Sequence, residues 1–232
     1  MLDSVFRMRE QPLWPHPDPL EVARAAEAAG VDAVLLGLHV PHVSIRDRDW
    51  QTLRELARAK LCLAVPPRTN VLEQIAASAA ARCVLIPGSR QEHSSGGALA
   101  VGLLRAQLSE AARLLERHDI ELGARIDPDP VAAGHCAEAG LSCVEINTAA
   151  FALATRPASR ARRLEELAET VQAADSHGLR ISVRGGLDFE NISELISCGP
   201  ISEVRIGQAL IAQALFDGIA ASIARMRVLL GG

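Results

Sequence analysis

The residues of this chain that could carry chemistry gather where apolar runs end. Arg184-Gly185-Gly186 closes one run and Ile206-Gly207-Gln208 closes the next. Glycine at such places lets backbone N–H groups approach an anion, and a helix starting near Ala209 would aim its positive end at the same point. Tight turns alone would also explain these glycines, but their place on two successive runs favours a phosphate site. His39 and His42, in LHVPHV, follow an earlier run. An H-x-x-H pair can bind metal, yet Pro41 between them and the lack of a third ligand argue against it, and no metal is expected. His39 stays a candidate general acid or base. Glu145 in VEIN and Asp127 in RIDPDP could each be a base, a helix cap or an arginine partner. Arg184 and Arg205 could each counter a substrate charge, with a surface position equally open for Arg205. The working catalytic set is therefore His39, Glu145 and Arg184. Lys60 is the sole lysine and opens an apolar run, away from the ends where chemistry would sit, which argues against a Schiff-base aldolase. A Gly-rich nucleotide loop, a G-x-S-x-G elbow and a zinc pattern are missing, and no cofactor is expected.

Eight apolar runs must position these groups. The first lies around Val5 and is short. The others are AVLLGLHV (33–40), LCLAVP (61–66), CVLIPG (83–88), ELGARID (121–127), SCVEINT (142–148), RISVRGG (180–186) and EVRIGQ (203–208). Between them lie helix-like segments. PDPLEVARAAEAAG has Asp18 to cap it, Pro19 at its first position, Glu21 to complete a capping box and Gly30 to stop it. DPDPVAAGHCAEAG repeats that logic. Further helices are expected from Ala98 to about Arg117, from about Ser159 to His177, in FENISELISCG, and as one amphipathic helix from about Ala209 to Leu230. Near-continuous apolar strands mark a parallel sheet covered on both faces. Eight regular units favour a closed α/β barrel, the (β/α)8 TIM barrel, over an open doubly wound sheet. The expectation is one such domain over residues 1–232.

Composition narrows the function further. The 232 residues are 49% hydrophobic and carry a formal charge of −4, which gives no basic footprint for nucleic acid or an anionic membrane surface. There is no leader-like segment and no spanning apolar run, so a cytoplasmic protein is expected. Cys62, Cys83, Cys136, Cys143 and Cys198 are odd in number, widely spaced and without a C-x-x-C pair, and read as reduced, mostly buried thiols.

PDPLEVARAAEAAGVDA, SIRDRDW, LIPGSRQEHSSGG, VEINTAAFA, GLRISVRGGL and EVRIGQALIAQAL keep an order and spacing that resembles the pyridoxine 5′-phosphate synthases of vitamin B6 synthesis, over nearly the whole chain. The resemblance implies a transferase-type condensation of deoxyxylulose 5-phosphate with 3-amino-2-oxopropyl phosphate, and a homo-oligomer. It also implies ligand-binding roles for Asp3, Ser94 (threonine in the family), Gly186 and Gly207, to which the glycine-turn reading adds Gly185 and Gln208. The acid–base positions of the family depart here. Gly37 stands for a catalytic histidine, Ala64 for a glutamate and Gly185 for a further histidine. His39 replaces a substrate-binding arginine, Ser44 a histidine and Gln208 the histidine after the strand-eight glycine. Glycine and alanine cannot move a proton, and such groups each contribute about 10²–10⁴-fold. Three readings stay open: a diverged enzyme acting on a small phosphorylated metabolite, a non-catalytic or regulatory binder of one, and an active synthase.

Overall fold

A computed structural model describes Val5 and residues 18–37, 60–78, 80–88 and 97–231. Among these residues seven parallel strands follow one another: β1 (Ala33–Gly37), β2 (Lys60–Val65), β3 (Arg82–Leu85), β4 (Glu121–Ile126), β5 (Cys143–Asn147), β6 (Arg180–Arg184) and β7 (Glu203–Arg205). Each pairs with its sequence neighbour, so the sheet order is the chain order. The fold is a parallel α/β barrel of TIM type, with these strands as the second to eighth expected ones. Of the first expected strand only Val5 is described, and it is helical and buried. The edge strands β1 and β7 both line a cavity of about 660 Å³, with Val34, Leu35, Val204 and Ile206 in its wall.

The helices are α1 (Pro19–Ala28), α2 (Thr69–Ala76), α3 (Arg105–Glu116), α4 (Pro130–Glu138), α5 (Ala149–Ala152), α6 (Pro157–Ser176), α7 (Ile192–Leu195), α8 (Gln208–Asp217) and α9 (Ile219–Leu229). The two expected caps form. Asp18 accepts from Leu20 N at 2.9 Å and Asp129 from Val131 N at 2.9 Å, and each such cap contributes about 1 kcal/mol.

Three expected helices are shorter than their periodicity suggested. The helix anticipated from Ala98 begins at Arg105, after a 3₁₀ turn at Val101–Leu103. FENISELISCG yields only α7 and a 3₁₀ turn at Ile196–Cys198. The single helix expected over 209–230 is two, because Gly218 adopts φ +77 between α8 and α9. Its backbone turns the chain back, and the Ser222 hydroxyl then donates to the Leu210 carbonyl at 2.9 Å.

Strand alternation divides the barrel side chains into two sets. Leu36, Leu63, Leu85, Ile126, Ile146 and Val183 point outward and pack with Ile75, Leu108, Leu115 and Leu167 of the helices in one core. Each fully buried leucine there contributes about 1.5–3 kcal/mol. Leu35, Cys62, Ala64, Val84 and Ile86 form a separate, smaller cluster inside the barrel. Lys60 opens β2, as expected. Cys62, Cys83, Cys136 and Cys143 are buried, Cys198 is half-buried, and all five are free thiols. Burial pushes the Cys136 and Cys143 thiols up to about 12 and that of Cys83 higher still. No helix among the described residues is long and apolar enough to cross a membrane.

Candidate functional site

The strand ends β4 to β7 bring Arg125, Glu145, Asn147, Arg184 and Arg205 to the C-terminal side of the barrel. Backbone register sets Arg125 beside Glu145, Asn147 beside Arg184, and Arg184 beside Arg205. Of the residues proposed from sequence, Glu145 and Arg184 lie on β5 and β6, Gly185 and Gly186 directly follow β6, and Gly207 and Gln208 follow the neighbouring β7. Asp3, His39 and Ser94 lie outside the described residues.

The two glycine turns leave adjacent strands side by side. Gly185 (φ +126) and Gly186 (φ +66) need to be glycine for a structural reason. A Cβ on Gly185 would lie 2.9 Å from Asn147 Oδ1 and from the Ala149 nitrogen, and one on Gly186 2.6 Å from the Ala152 Cβ. The turn is tied down as well. The Thr148 hydroxyl donates to the Gly185 carbonyl at 2.7 Å, and Asn191 Nδ2 donates to the Gly186 carbonyl at 2.9 Å. Gly207 plays another part. It caps α8 without a side chain, and the first amide to close a helical bond onto it is that of Ile211, at 3.1 Å. A helix start of this kind directs the N–H groups of its first turn outward, where they can bind an anion.

Glu145 is the buried centre of the site. Its Oε1 accepts from Arg125 Nε at 2.6 Å and its Oε2 from Arg205 Nη1 at 2.6 Å, while Arg184 Nη1 stands 3.9 Å from Oε1. Burial alone would raise this carboxyl, but Arg125 and Arg205 outweigh it and hold it below its ordinary value. The arginine-partner role, one of three open for this residue, is the one the geometry realises. The ion pairs continue downward. Arg205 Nε donates to Glu203 at 2.6 Å, Glu203 also accepts from Arg82, and Arg82 Nε donates to Glu121 at 2.7 Å. Arg205, for which a surface position was open, is buried, with its side chain 3% exposed. Asp127 accepts from Asn147 Nδ2 at 3.1 Å.

Sequence reasoning missed Arg82, Arg125, Glu121 and Glu203. A signal was present, because in a barrel strand covered on its outer face, charges two residues apart must share the interior. Arg205 fits this rule with Glu203.

Residues 1–231 match the family model described as "Pyridoxal phosphate biosynthesis protein PdxJ". The chain is 31% identical over 231 residues to the pyridoxine 5′-phosphate synthase of Solidesulfovibrio magneticus, covering 100% of this chain and 96% of that one. It is 32% identical over 234 residues to that of Syntrophotalea carbinolica, covering 100% and 97%. Among solved structures, KGPDC from Streptococcus mutans superposes with a TM-score of 0.65 at 15% identity, over 91% of each chain. At that identity the likeness concerns the fold alone.

Proposed function

Because this chain belongs to the pyridoxal phosphate biosynthesis protein PdxJ family, and is a pyridoxine 5′-phosphate synthase-like barrel, we propose that it binds a small phosphorylated metabolite with altered chemistry at the β6–β7 mouth. The observation that carries this reading is the pairing of two facts at one end of the barrel. The α8 start at Gly207 is capped by no side chain, which suits a phosphate. Gly37 and Ala64, where the resemblance leads one to expect a histidine and a glutamate, are register partners on β1 and β2. Two adjacent positions for proton transfer are therefore filled by groups that cannot perform it.

In this reading the α8 amides and the Gly185-Gly186 turn hold the phosphate, with Asp3, Ser94 and Gln208 as further contacts. Arg184 offsets charge on the ligand. Glu145 fixes Arg125 and Arg205 in place, since a carboxylate held ionised by two guanidinium groups is a poor proton acceptor. His39 is then the group left for acid–base work. Self-association belongs to the same proposal, and exposed Leu215, Phe216 and Val228 on α8 and α9 offer apolar surface for it.

The test combines turnover with binding. Wild-type protein incubated with deoxyxylulose 5-phosphate and 3-amino-2-oxopropyl phosphate is expected to form no pyridoxine 5′-phosphate above background. Synthesis at ordinary enzymatic rates would reject altered chemistry. Gly207→Asp should abolish binding of phosphate esters, because it sets a carboxylate at the helix start; unchanged binding would reject the phosphate site. A second reading, a non-catalytic binder, is favoured by the burial of Glu145 in ion pairs. Comparison of His39→Ala with wild type in a screen of phosphorylated metabolites separates the two, since only an enzyme loses turnover.

A further inference from the structure

The strand that leads to the α8 start has little backbone support. β7 is the shortest strand, with three residues, where strands commonly have five or six. Among the described residues it pairs with β6 alone, through Ser182–Glu203, Val183–Val204 and Arg184–Arg205. It also borders the cavity of about 660 Å³, to whose wall every residue from Glu203 to Gly207 contributes. Side chains supply the hold that the ladder lacks. Glu203 accepts from Arg205 Nε at 2.6 Å with one oxygen and from Arg82 of β3 with the other. Arg82 Nε in turn donates to Glu121 of β4 at 2.7 Å. Arg82, Glu121 and Glu203 are the first residues of their strands, so this tie crosses the barrel at the end opposite the mouth. The Arg82 side chain there is only 4% exposed. At the mouth end of β7, Arg205 Nη1 donates to Glu145 of β5 at 2.6 Å. The strand is therefore pinned at both ends by charge-assisted bonds, which are short and directional.

We infer that Glu203, held by Arg82 across the barrel, is a positioning residue for the phosphate site. It fixes β7 and, through Arg205 and Ile206, the backbone at Gly207 from which α8 starts. The inference rests on the proposed phosphate site and names what aligns it. Amides already held in place bind an anion without first having to be ordered, and affinity is lost when the binding groups must be immobilised. Release of the far end of β7 leaves the strand on its three-residue ladder and the Arg205–Glu145 bond, free to tilt. The α8 start tilts with it. Glu203 and Arg82 stand at the other end of their strands from the mouth, so their effect on a ligand there can only be transmitted through β7.

Calorimetric titration of the full chain with glycerol 3-phosphate tests it, in wild type, Glu203→Gln, Arg82→Met and the double variant. Glu203→Gln leaves Arg82 on Glu121 and Arg205 on Glu145. Arg82→Met leaves Glu203 on Arg205 and Glu121 43% exposed. Neither change strands a buried charge, so both proteins are expected to fold, and if one does not, the other carries the comparison. Each single variant should bind the ester about tenfold more weakly, within the usual range of coupling between separate sites. The double variant should bind no more weakly than either single one, because both remove the same tie. Leu167→Ala, a cavity in the buried face of α6, lowers stability away from this tie and should bind as wild type does. Variants that bind as tightly as wild type overturn the positioning role and leave the phosphate site standing. Losses that add in the double variant, or an equal loss in Leu167→Ala, also overturn it, since Arg82 then acts by another route or through stability alone. Absence of binding by wild type overturns the phosphate site and the positioning role with it.

Discussion

The interior of this barrel has two halves built by one rule. Along β1 to β3 and just beyond, Leu35, Cys62, Ala64, Val84 and Ile86 form an apolar cluster of small and medium side chains inside the barrel. On β4 to β7 the inward positions include Glu121, Arg125, Glu145, Arg184, Glu203 and Arg205, with Arg82 of β3 reaching under them to Glu121 and Glu203. Alternation puts every second residue of each strand inside in both cases. The difference lies in what holds them there. The apolar half is stabilised by removal of surface from water, is non-directional and tolerates the loss of one neighbour. The charged half holds only while every partner is present, since a buried ion pair gains little net energy yet its disruption strands a charge.

That contrast can be broken most severely with acid. Burial alone would raise Glu145 and Glu203, but their arginines prevail and both carboxyls sit below the ordinary 4.5 when folded. Their contribution is fully present above pH 4.5 and is lost as pH falls through the depressed folded values. Chemical denaturation at a series of pH values should show stability falling steadily below 4.5, and a flat profile from pH 6 to 3 would refute the charged half as described. Next in size, Glu145→Leu removes the carboxylate that binds both Arg125 and Arg205 and should cost about 3–5 kcal/mol, read from the urea midpoint. Leu35→Ala, in the apolar half, should cost about 2–5 kcal/mol, and its cost should be the same at pH 7 and pH 5. The smallest change belongs to the surface. Arg105 pairs with Glu138 at 2.7 Å with both side chains more than half exposed, so Arg105→Ala should shift stability by less than about 1 kcal/mol and less again in high salt.

The fold was legible because strands buried on both faces read as apolar runs, and because local capping does not wait for tertiary structure. Asp18 and Asp129 cap the helices that their position before proline indicated. Helix lengths were read less well. Periodicity across Gly218 looks continuous, but the residue's left-handed conformation breaks the helix, and only packing of α8 against α9 selects that conformation. The site was half legible. The glycine turns at 185–186 and 207 were visible as spacing, although the close approach of Asn147, Ala149 and Ala152 that requires glycine at 185 and 186 joins residues more than thirty positions apart. Arg82 and Glu203, 121 positions apart, could not be seen as partners at all.

The sequence by itself determined the architecture and the family, because run length, capping and residue identity are local properties. Only the tertiary structure decided which charges are buried and that Glu145 binds two arginines. Ion pairing inside a barrel depends on strand register and on which wall a residue faces, and neither exists until the sheet has curled.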